Sequence, residues 1–584
     1  IVVAIDLGTS RSAWAFSIAG RAKGEIIIHA PEGSMQQAPG GGDGAPLLYK
    51  TETASLLEMS SKNNAGEAAG NAAGEAVHDA SASAVAATSA AGQRLLLFQW
   101  FKMGLSAKSG FTGVDQPMAT AVGGQQLPLL TVMAATLHHF KEDVLRRLSA
   151  ACGGEAINPL RDIDWVLTVP AIRDDFGKRF MRCAAHRAGL TEAEDSPRLR
   201  LCLEPEAACL AISDEDGRTF LREAGSKLMI LDCGGGTVDV TTHQIVGTNP
   251  LRLKELLPPT GGPWGSTLVD RSFHDWLKGF LGADLFGPAF NSSALFQTML
   301  QWEAHKMACA RGAKVRLNLG DLCDHLGVSA ARLQGLRERF NRGNEPGQHV
   351  GGNPRHRIVL LPPALVERFF VPAVTRIAAC CEELAHRPKL SGLRYVFMVG
   401  GFSASPVLQE AVKAAFASAT GGGSGAAVVV TLRPNLAIVR GAVMSAAASN
   451  VFRSRKARLT YGVRSSVVFD PRNPDHCARC GAAAFNNWDG AERLPVFSAH
   501  VSRGTDLHAG GRCIHRRTYR PLSGNQSAIT VQILASHKKD IAYLDDGDYF
   551  RLGTVEVPVP VDAATATTTL IDVEFTFGEA ELSV

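Results

Sequence analysis

The stretch Lys227-Leu-Met-Ile-Leu-Asp-Cys-Gly-Gly-Gly-Thr-Val-Asp-Val240 leaves a chain few choices, because an apolar run meets an acid, three glycines, a hydroxyl and a second acid. Leu228 to Leu231 has the short continuous apolar character of a strand buried on both faces. Gly234, Gly235 and Gly236 then allow positive φ and close approach of backbone to a ligand. Backbone N–H groups in such a turn can surround phosphate oxygens. Asp232 and Asp239 flank the turn, and paired carboxylates beside phosphates suit a hydrated Mg²⁺, which takes oxygen ligands and keeps several waters. Taken alone, Gly-Gly-Gly is more often a plain hairpin.

The start of the chain repeats the pattern. Ile1-Val-Val-Ala-Ile-Asp-Leu-Gly-Thr-Ser10 is again a buried strand with an acid, Asp6, at its end, followed by Gly8, Thr9, Ser10 and a second strand-like run from Ala13 to Ile18. Two copies argue for two lobes facing one nucleotide. A third strand runs into glycines at Tyr395-Val-Phe-Met-Val-Gly-Gly-Phe-Ser403, where Gly400 and Gly401 let a flat ring lie against the backbone. Ser405-Pro406 is placed to open a helix as N-cap and first-turn proline.

These segments, in this order, resemble the two phosphate motifs and the adenosine motif of the actin-like ATPase superfamily. Val169-Pro-Ala171 and Glu204-Pro-Glu-Ala-Ala208 resemble segments of its seventy-kilodalton heat-shock chaperone branch. Trp100-Phe-Lys-Met103 and Gly261-Gly-Pro-Trp-Gly-Ser266 are similar to the branch's divergent twelve A and B subgroup. The resemblance covers most of residues 1 to 450. It implies an α/β fold: a two-lobed actin-like ATPase with ribonuclease H-like repeats, then a small β-sandwich domain and no helical lid. It implies ATP/ADP and Mg as cofactors, with Asp6 and Asp232 reaching the metal through water. Glu204 is then a further carboxylate near the metal waters, and Thr9, Thr237 and Lys102 face the γ-phosphate and attacking water. Glu303 matches a ribose-contacting acid and Lys306 an adenosine-side lysine. Pro170 and Arg200 match a relay proline and an arginine at the lobe–linker contact. Read without the resemblance, Lys102 is a surface lysine after a strand, Glu204 an acid favoured by a helix N-terminus, and Glu303 with Lys306 an exposed i, i+3 pair. Met307 stands where the family usually has an arginine that stacks on adenine, and Asn435 where it has an aspartate. Arg11 and Leu203 are further departures.

A chain of 584 residues with 45% hydrophobic content can bury several cores. Lys+Arg 60 against Asp+Glu 56 leaves +4, which gives no wholesale affinity for nucleic acid. Twelve cysteines without regular spacing, several in apolar runs, read as free thiols of a reducing compartment, and a cytoplasmic setting is expected. No run of eighteen apolar residues marks a transmembrane helix.

The domain reading is a nucleotide-binding domain over 1–450, a basic linker over 451–460 and a β-rich substrate-binding-like domain over 461–584. Residues 31–92, dominated by Gly, Ala, Ser and Asn, are expected to be mostly disordered, because large apolar side chains are scarce apart from Pro46-Leu-Leu-Tyr49 and Leu56-Leu57. Amphipathic spacing predicts a helix over 129–148; a strand follows over 163–169 and a helix over 174–190. The polar segment 342–357 reads as a surface loop. Phe452-Arg-Ser-Arg-Lys-Ala-Arg458 reads as a solvated linker, with acidic lipid or RNA contact as the other reading. Short alternating runs at 463–469, 496–501, 529–534, 554–559 and 570–577 predict a small sandwich. Cys477-Ala-Arg-Cys480 with Cys513-Ile-His515 could compose a four-ligand zinc set, but only one true Cys-x-x-Cys pair exists, so idle thiols are favoured.

The functional expectation is an ATP-binding, weakly ATP-hydrolysing chaperone-like switch whose β domain takes client peptides or proteins, with co-chaperones as further partners. The alternatives are a nucleotide-gated scaffold with negligible turnover, or a sugar kinase of the same superfamily. The departures at Met307 and Asn435 favour a scaffold; the lack of a recognisable sugar pocket counts against a kinase.

Overall fold

A computed structural model describes residues 1–18, 26–29, 51–52, 54–59, 94–105, 113–121, 124–172, 175–215, 220–289, 292–419, 425–448, 451–479, 485–486, 490–508, 513–520, 528–558, 570–577 and 581–584. It is a mixed α/β molecule with several sheets. The first runs in the order Leu199–Leu203, Asp164–Val169, Val2–Asp6, Arg11–Ser17, Ile27–His29, with Thr51–Glu52 also paired to Arg11–Ser17. The second runs in the order Ala427–Val430, Leu393–Val399, Lys227–Cys233, Val238–Thr248, Leu251–Gly262, Phe452–Lys456, Asp506–His508.

Both sheets use one pairing rule. Val2–Asp6 lies parallel to Asp164–Val169 and antiparallel to Arg11–Ser17. Lys227–Cys233 lies parallel to Leu393–Val399 and antiparallel to Val238–Thr248. In each case the leading strand is buried on both faces, which is why it reads as a continuous apolar run rather than an alternating one. Each therefore delivers its terminal acid and its glycine loop to the same end of a sheet.

Helices Leu129–Ala151 and Asp175–Arg187 pack together near the first sheet, burying Met133, Leu137, Phe140, Val144 and Phe180 with Trp14 and Trp165. The second sheet's Met229, Leu231 and Val240 share a core with helices Thr267–Leu281, Ser293–Ala308 and Pro363–Ala385. There Phe273 and Trp302 stack with centroids 4.4 Å apart, and Phe369 meets Trp302 edge-on. Helix Pro406–Ala419 begins after Ser405, as the Ser-Pro pair predicts.

Three expectations change. Phe452–Lys456 is not a solvated linker but a strand, parallel to Leu251–Gly262 and antiparallel to Asp506–His508. Its basic side chains are met by carboxylates from two segments: Arg455 donates to Glu206 at 2.6 and 2.8 Å and Lys456 pairs with Asp506 at 2.8 Å, while the Lys456 backbone amide donates to Glu255 at 2.6 Å. Counting charge along the sequence could not show that these acids come to meet it. Segment 342–357, expected as a loop, contains strand Gly351–Asn353 on the Ile358–Leu361 strand, because Gly352 (φ +118°) permits a backbone close to Ile358 that no larger residue allows. Within 31–92, strand Ala54–Met59 pairs with Arg94–Gln99, so this part of the insertion expected to be mostly disordered is a strand instead; residues 31–50, 53 and 60–92 lie outside the described residues.

Beyond residue 457 the strands predicted from alternation are present as Thr460–Val468, Glu492–Val501, Ala528–Ser536, Tyr549–Pro558 and Ile571–Phe577. The first four, with Phe485–Asn486, form one sheet, and Ile571–Phe577 pairs with Cys513–Tyr519 and Leu582–Ser583 in another. Val463, Ile533, Val573 and Phe575 fill a core common to both. Arg182 of helix Asp175–Arg187 holds Glu581 through two nitrogens at 2.5 and 2.6 Å, tying this region to the first α/β unit. Among the described residues no helix is long and apolar enough to cross a membrane.

Candidate functional site

The glycine loops at the ends of the two leading strands meet at a cleft of about 660 Å³, a size suited to a small-molecule ligand. Asp6, Gly8, Thr9, Ser10, Arg11 and Lys102 line it with Glu204; from the second sheet come Asp232, Gly234, Gly235, Gly236 and Thr237, with Glu303, Gly400 and Gly401. Ser10 and Gly235, 225 positions apart in sequence, are thus neighbours.

Local structure explains the floor. Gly234 N–H closes the second loop on Thr237 O at 3.0 Å, and the backbone amides of Gly265, Ser266 and Thr267 donate to Gly236, Gly234 and Gly235 carbonyls at 3.2, 3.2 and 2.9 Å. The Gly261–Ser266 segment therefore braces the phosphate-type loop. A Cβ on Gly265 would collide with Gly235 O. The two loops also touch each other: a Cβ on Gly235 would meet Ser10 Oγ, and one on Gly236 would meet Thr9 Oγ1. Gly400 has φ +82°, and a Cβ there would strike Asp232 Oδ1. Only glycine leaves both that conformation and that carboxylate undisturbed.

Polar groups at this floor are buried and oriented. Asp6 accepts from Thr168 Oγ1 at 2.7 Å. Lys102, on the turn Phe101–Leu105, is 4% exposed and gives its ammonium to Leu7 O and, at 3.0 Å, to Glu204 Oε1. Glu204 is the first residue of helix Glu204–Glu215, where the helix dipole favours a carboxylate. Ser10 Oγ is buried with no hydrogen-bond partner, a donor aimed at nothing the protein supplies.

Other candidates stand elsewhere. Asp239 is the register partner of Asp232 but does not line the cleft; it accepts the Ile172 amide at 2.7 Å, joining the second sheet to the segment after Pro170. Glu303 faces the cleft, yet Lys306 on the same helix points into the core, 2% exposed, with Nζ 2.8 Å from both Asp270 oxygens. Burial raises the Asp270 carboxyl above its ordinary value, while Lys306 opposes the rise. Arg200 donates to Ser445 O at 2.7 Å. Of the zinc candidates, Cys480 lies outside the described residues; Cys477 Sγ donates to Pro471 O at 3.2 Å and Cys513 Sγ lies 3.5 Å from His515 Nε2. Among the described residues the cysteines are free thiols.

Several further cleft residues were assigned no role from the sequence. Ser266, Phe402, Leu432, Arg433, Pro434 and Ile438 line it, with Met307 and Asn435 beside them. The Leu432–Asn435 turn is placed by Gly400 N–H donating to Pro434 O at 2.9 Å, a contact between distant segments that no local pattern encodes.

No family model matches the chain. Its similarity to curated proteins nevertheless extends over its full length, and it resembles divergent members of the heat shock protein 70 family. It is similar to Heat shock 70 kDa protein 12A of Homo sapiens, 28% identical over 642 residues that cover 100% of this chain and 88% of the relative. Heat shock 70 kDa protein 12B of Homo sapiens is 29% identical over 649 residues with the same coverage. Chaperone protein DnaK of Deinococcus radiodurans matches more narrowly, 28% identical over 281 residues, 47% of this chain and 37% of the relative.

Proposed function

We propose that the chain is a two-lobed actin-like ATPase that binds Mg·ATP between its sheets and carries a β-sandwich for client peptides or proteins. The carrying observation is the convergence of two glycine–hydroxyl loops on one cleft with Asp6, Asp232, Glu204 and Lys102 around them. The repeated pairing rule of the two sheets supports the two lobes. The common core under the two C-terminal sheets supports the sandwich. In this reading the nucleotide-binding unit includes the Phe452–Lys456 strand, and the β domain begins near Thr460.

The residues present fit a hydrated magnesium ion. Among the described residues no three His, Cys, Asp or Glu side chains form a direct ligand set, and Mg²⁺ is commonly held through its waters by one or two carboxylates. Asp6 and Asp232 would hold it, and bound there it would offset phosphate charge. The chain's own groups do the positioning. Ser10 Oγ and the loop amides of Gly235 and Gly236 hold phosphate oxygens, Thr9 and Thr237 orient the terminal phosphate, and Lys102, fixed by Glu204, presents a positive charge beside the attacking water. Phosphoryl transfer demands mainly such orientation and charge stabilisation. Gly400 and Gly401 leave room for the base, with Met307 and Phe402 as apolar neighbours. Because Lys306 is committed to Asp270 and Met307 carries no charge, base contacts are few, which favours weak affinity and slow turnover and keeps a nucleotide-gated scaffold as the second reading.

Asp232→Asn tests the proposal. It should leave the melting temperature nearly unchanged and lower Mg-dependent single-turnover hydrolysis by about a hundredfold, the scale of one preorganised electrostatic contact. Wild-type protein that shows no Mg·ATP binding by calorimetry would remove the function altogether; binding without turnover would leave the scaffold.

A further inference from the structure

Arg11 is the first residue of strand Arg11–Ser17, immediately beyond Gly8–Ser10, and its guanidinium reaches across the cleft. Its Nε and Nη2 lie 3.2 and 3.0 Å from Glu303 Oε1, on helix Ser293–Ala308 of the opposite side. Both side chains are 21% exposed, so water screens this pair only in part. The pair joins two groups with opposite uses in the reading above. Arg11 is a cation one residue from the unpartnered Ser10 hydroxyl, where phosphate would lie, and Glu303 is the acceptor placed for sugar hydroxyls.

We propose that Arg11 is a specificity-determining residue that makes access to Glu303 conditional on phosphate. In the protein without nucleotide, the guanidinium occupies the carboxylate. A nucleoside diphosphate or triphosphate brings an anion that takes Arg11, since planar guanidinium pairs well with phosphate oxygens, and Glu303 is released to the ribose. A nucleoside without phosphate offers Arg11 no replacement anion. It must break the pair and leave a part-buried guanidinium unsatisfied, or forgo the sugar contact. Discrimination follows from the difference between the two exchanges, as a ligand gains selectivity only from differential interaction. The inference rests on the nucleotide reading of the cleft. It does not require turnover.

The test is the ratio of dissociation constants for adenosine and ADP, measured by calorimetry with Mg²⁺ present, in wild type, Arg11→Ala and Arg11→Gln. Thermal melts of all three serve as the folding control, and Arg11→Gln retains much of the side chain's bulk should the alanine variant not fold. The ratio should fall by about tenfold in both variants, the scale of one charge-assisted hydrogen bond. The fall should come from two sides: ADP binds more weakly and adenosine more tightly. A purely structural role for Arg11 would weaken both ligands together and leave the ratio unchanged, which overturns the proposal. Wild-type protein that binds neither ligand overturns the nucleotide reading itself and this inference with it, whereas ADP binding with an unaltered ratio overturns the inference alone.

Discussion

Glu255 carries its charge reluctantly. It sits on strand Leu251–Gly262, 6% exposed, and burial pushes its carboxyl up to about 7 although the Lys456 amide donates to it and Arg458 and Arg455 lie near. An acid raised in the folded state favours folding while protonated. Below its ordinary value of 4.5 folded and unfolded chains both hold the proton; between 4.5 and about 7 the unfolded chain loses it first, so stability falls as pH rises. Above about 7 the loss is complete, roughly 3 kcal/mol. His243 works in the other direction. Burial, with Arg455 adding to it, lowers its imidazole from 6.5 to about 3, so its contribution is present above 6.5 and lost as pH falls. The two slopes oppose in the wild type, and Glu255→Gln separates them. Denaturant melts should show the variant equal to wild type near pH 4 and more stable by up to roughly 3 kcal/mol at pH 8. A variant less stable than wild type at pH 8 would mean the carboxylate is worth more to the fold than its burial costs.

At the scale of elements, the Phe452–Lys456 strand is the largest departure from the linear reading. Phe452 and Ser454 are buried, whereas Arg455 lies toward helix Glu204–Glu215 and grips Glu206 with side chains 17% and 11% exposed. Glu206 is two residues from Glu204, the carboxylate that holds Lys102 in the cleft. One helical turn therefore carries a cleft contact at its first residue and the strand's contact at its third. Arg455→Ala leaves Glu206 without its guanidinium in a largely dry site and should cost about 3 kcal/mol, read as a lower denaturant midpoint. Arg455→Lys should recover only part, having lost the planar fork. A loss of under 1 kcal/mol in the alanine variant would show the pair to be no stronger than an exposed one. Five of the β runs after residue 457 were legible from alternation; Cys513–Tyr519 was not, because its basic and polar residues, Arg516, Arg517 and Thr518, hide its pairing with Ile571–Phe577.

Taken whole, the molecule is two sheets on one pairing rule, a cleft between their loops and a β region secured through Arg182 and the Phe452–Lys456 strand. Residues 61–90, rich in Gly, Ala, Ser and Asn, hold too little apolar area to build a core. Deleting them while keeping the Ala54–Met59 strand should change the melting temperature by less than about 2 °C, under 1 kcal/mol for a chain of this size. Extending the deletion through Ala54–Met59 should lower it further, because Arg94–Gln99 then loses its ladder partner. Equal melting temperatures for the two deletions would show that this ladder adds nothing to stability. The sequence by itself determined the leading strands and their glycine loops, because burial on two faces and a backbone free of side chains are local requirements that leave local marks. It also carried the family resemblance, which rests on motif order. Tertiary structure alone decided which acids and cations meet: Arg11 with Glu303, Lys102 with Glu204, Lys306 with Asp270 and Arg455 with Glu206. A charge has no periodicity to betray its partner, and the energy of a pair depends on distance and burial, which exist only after the chain has folded.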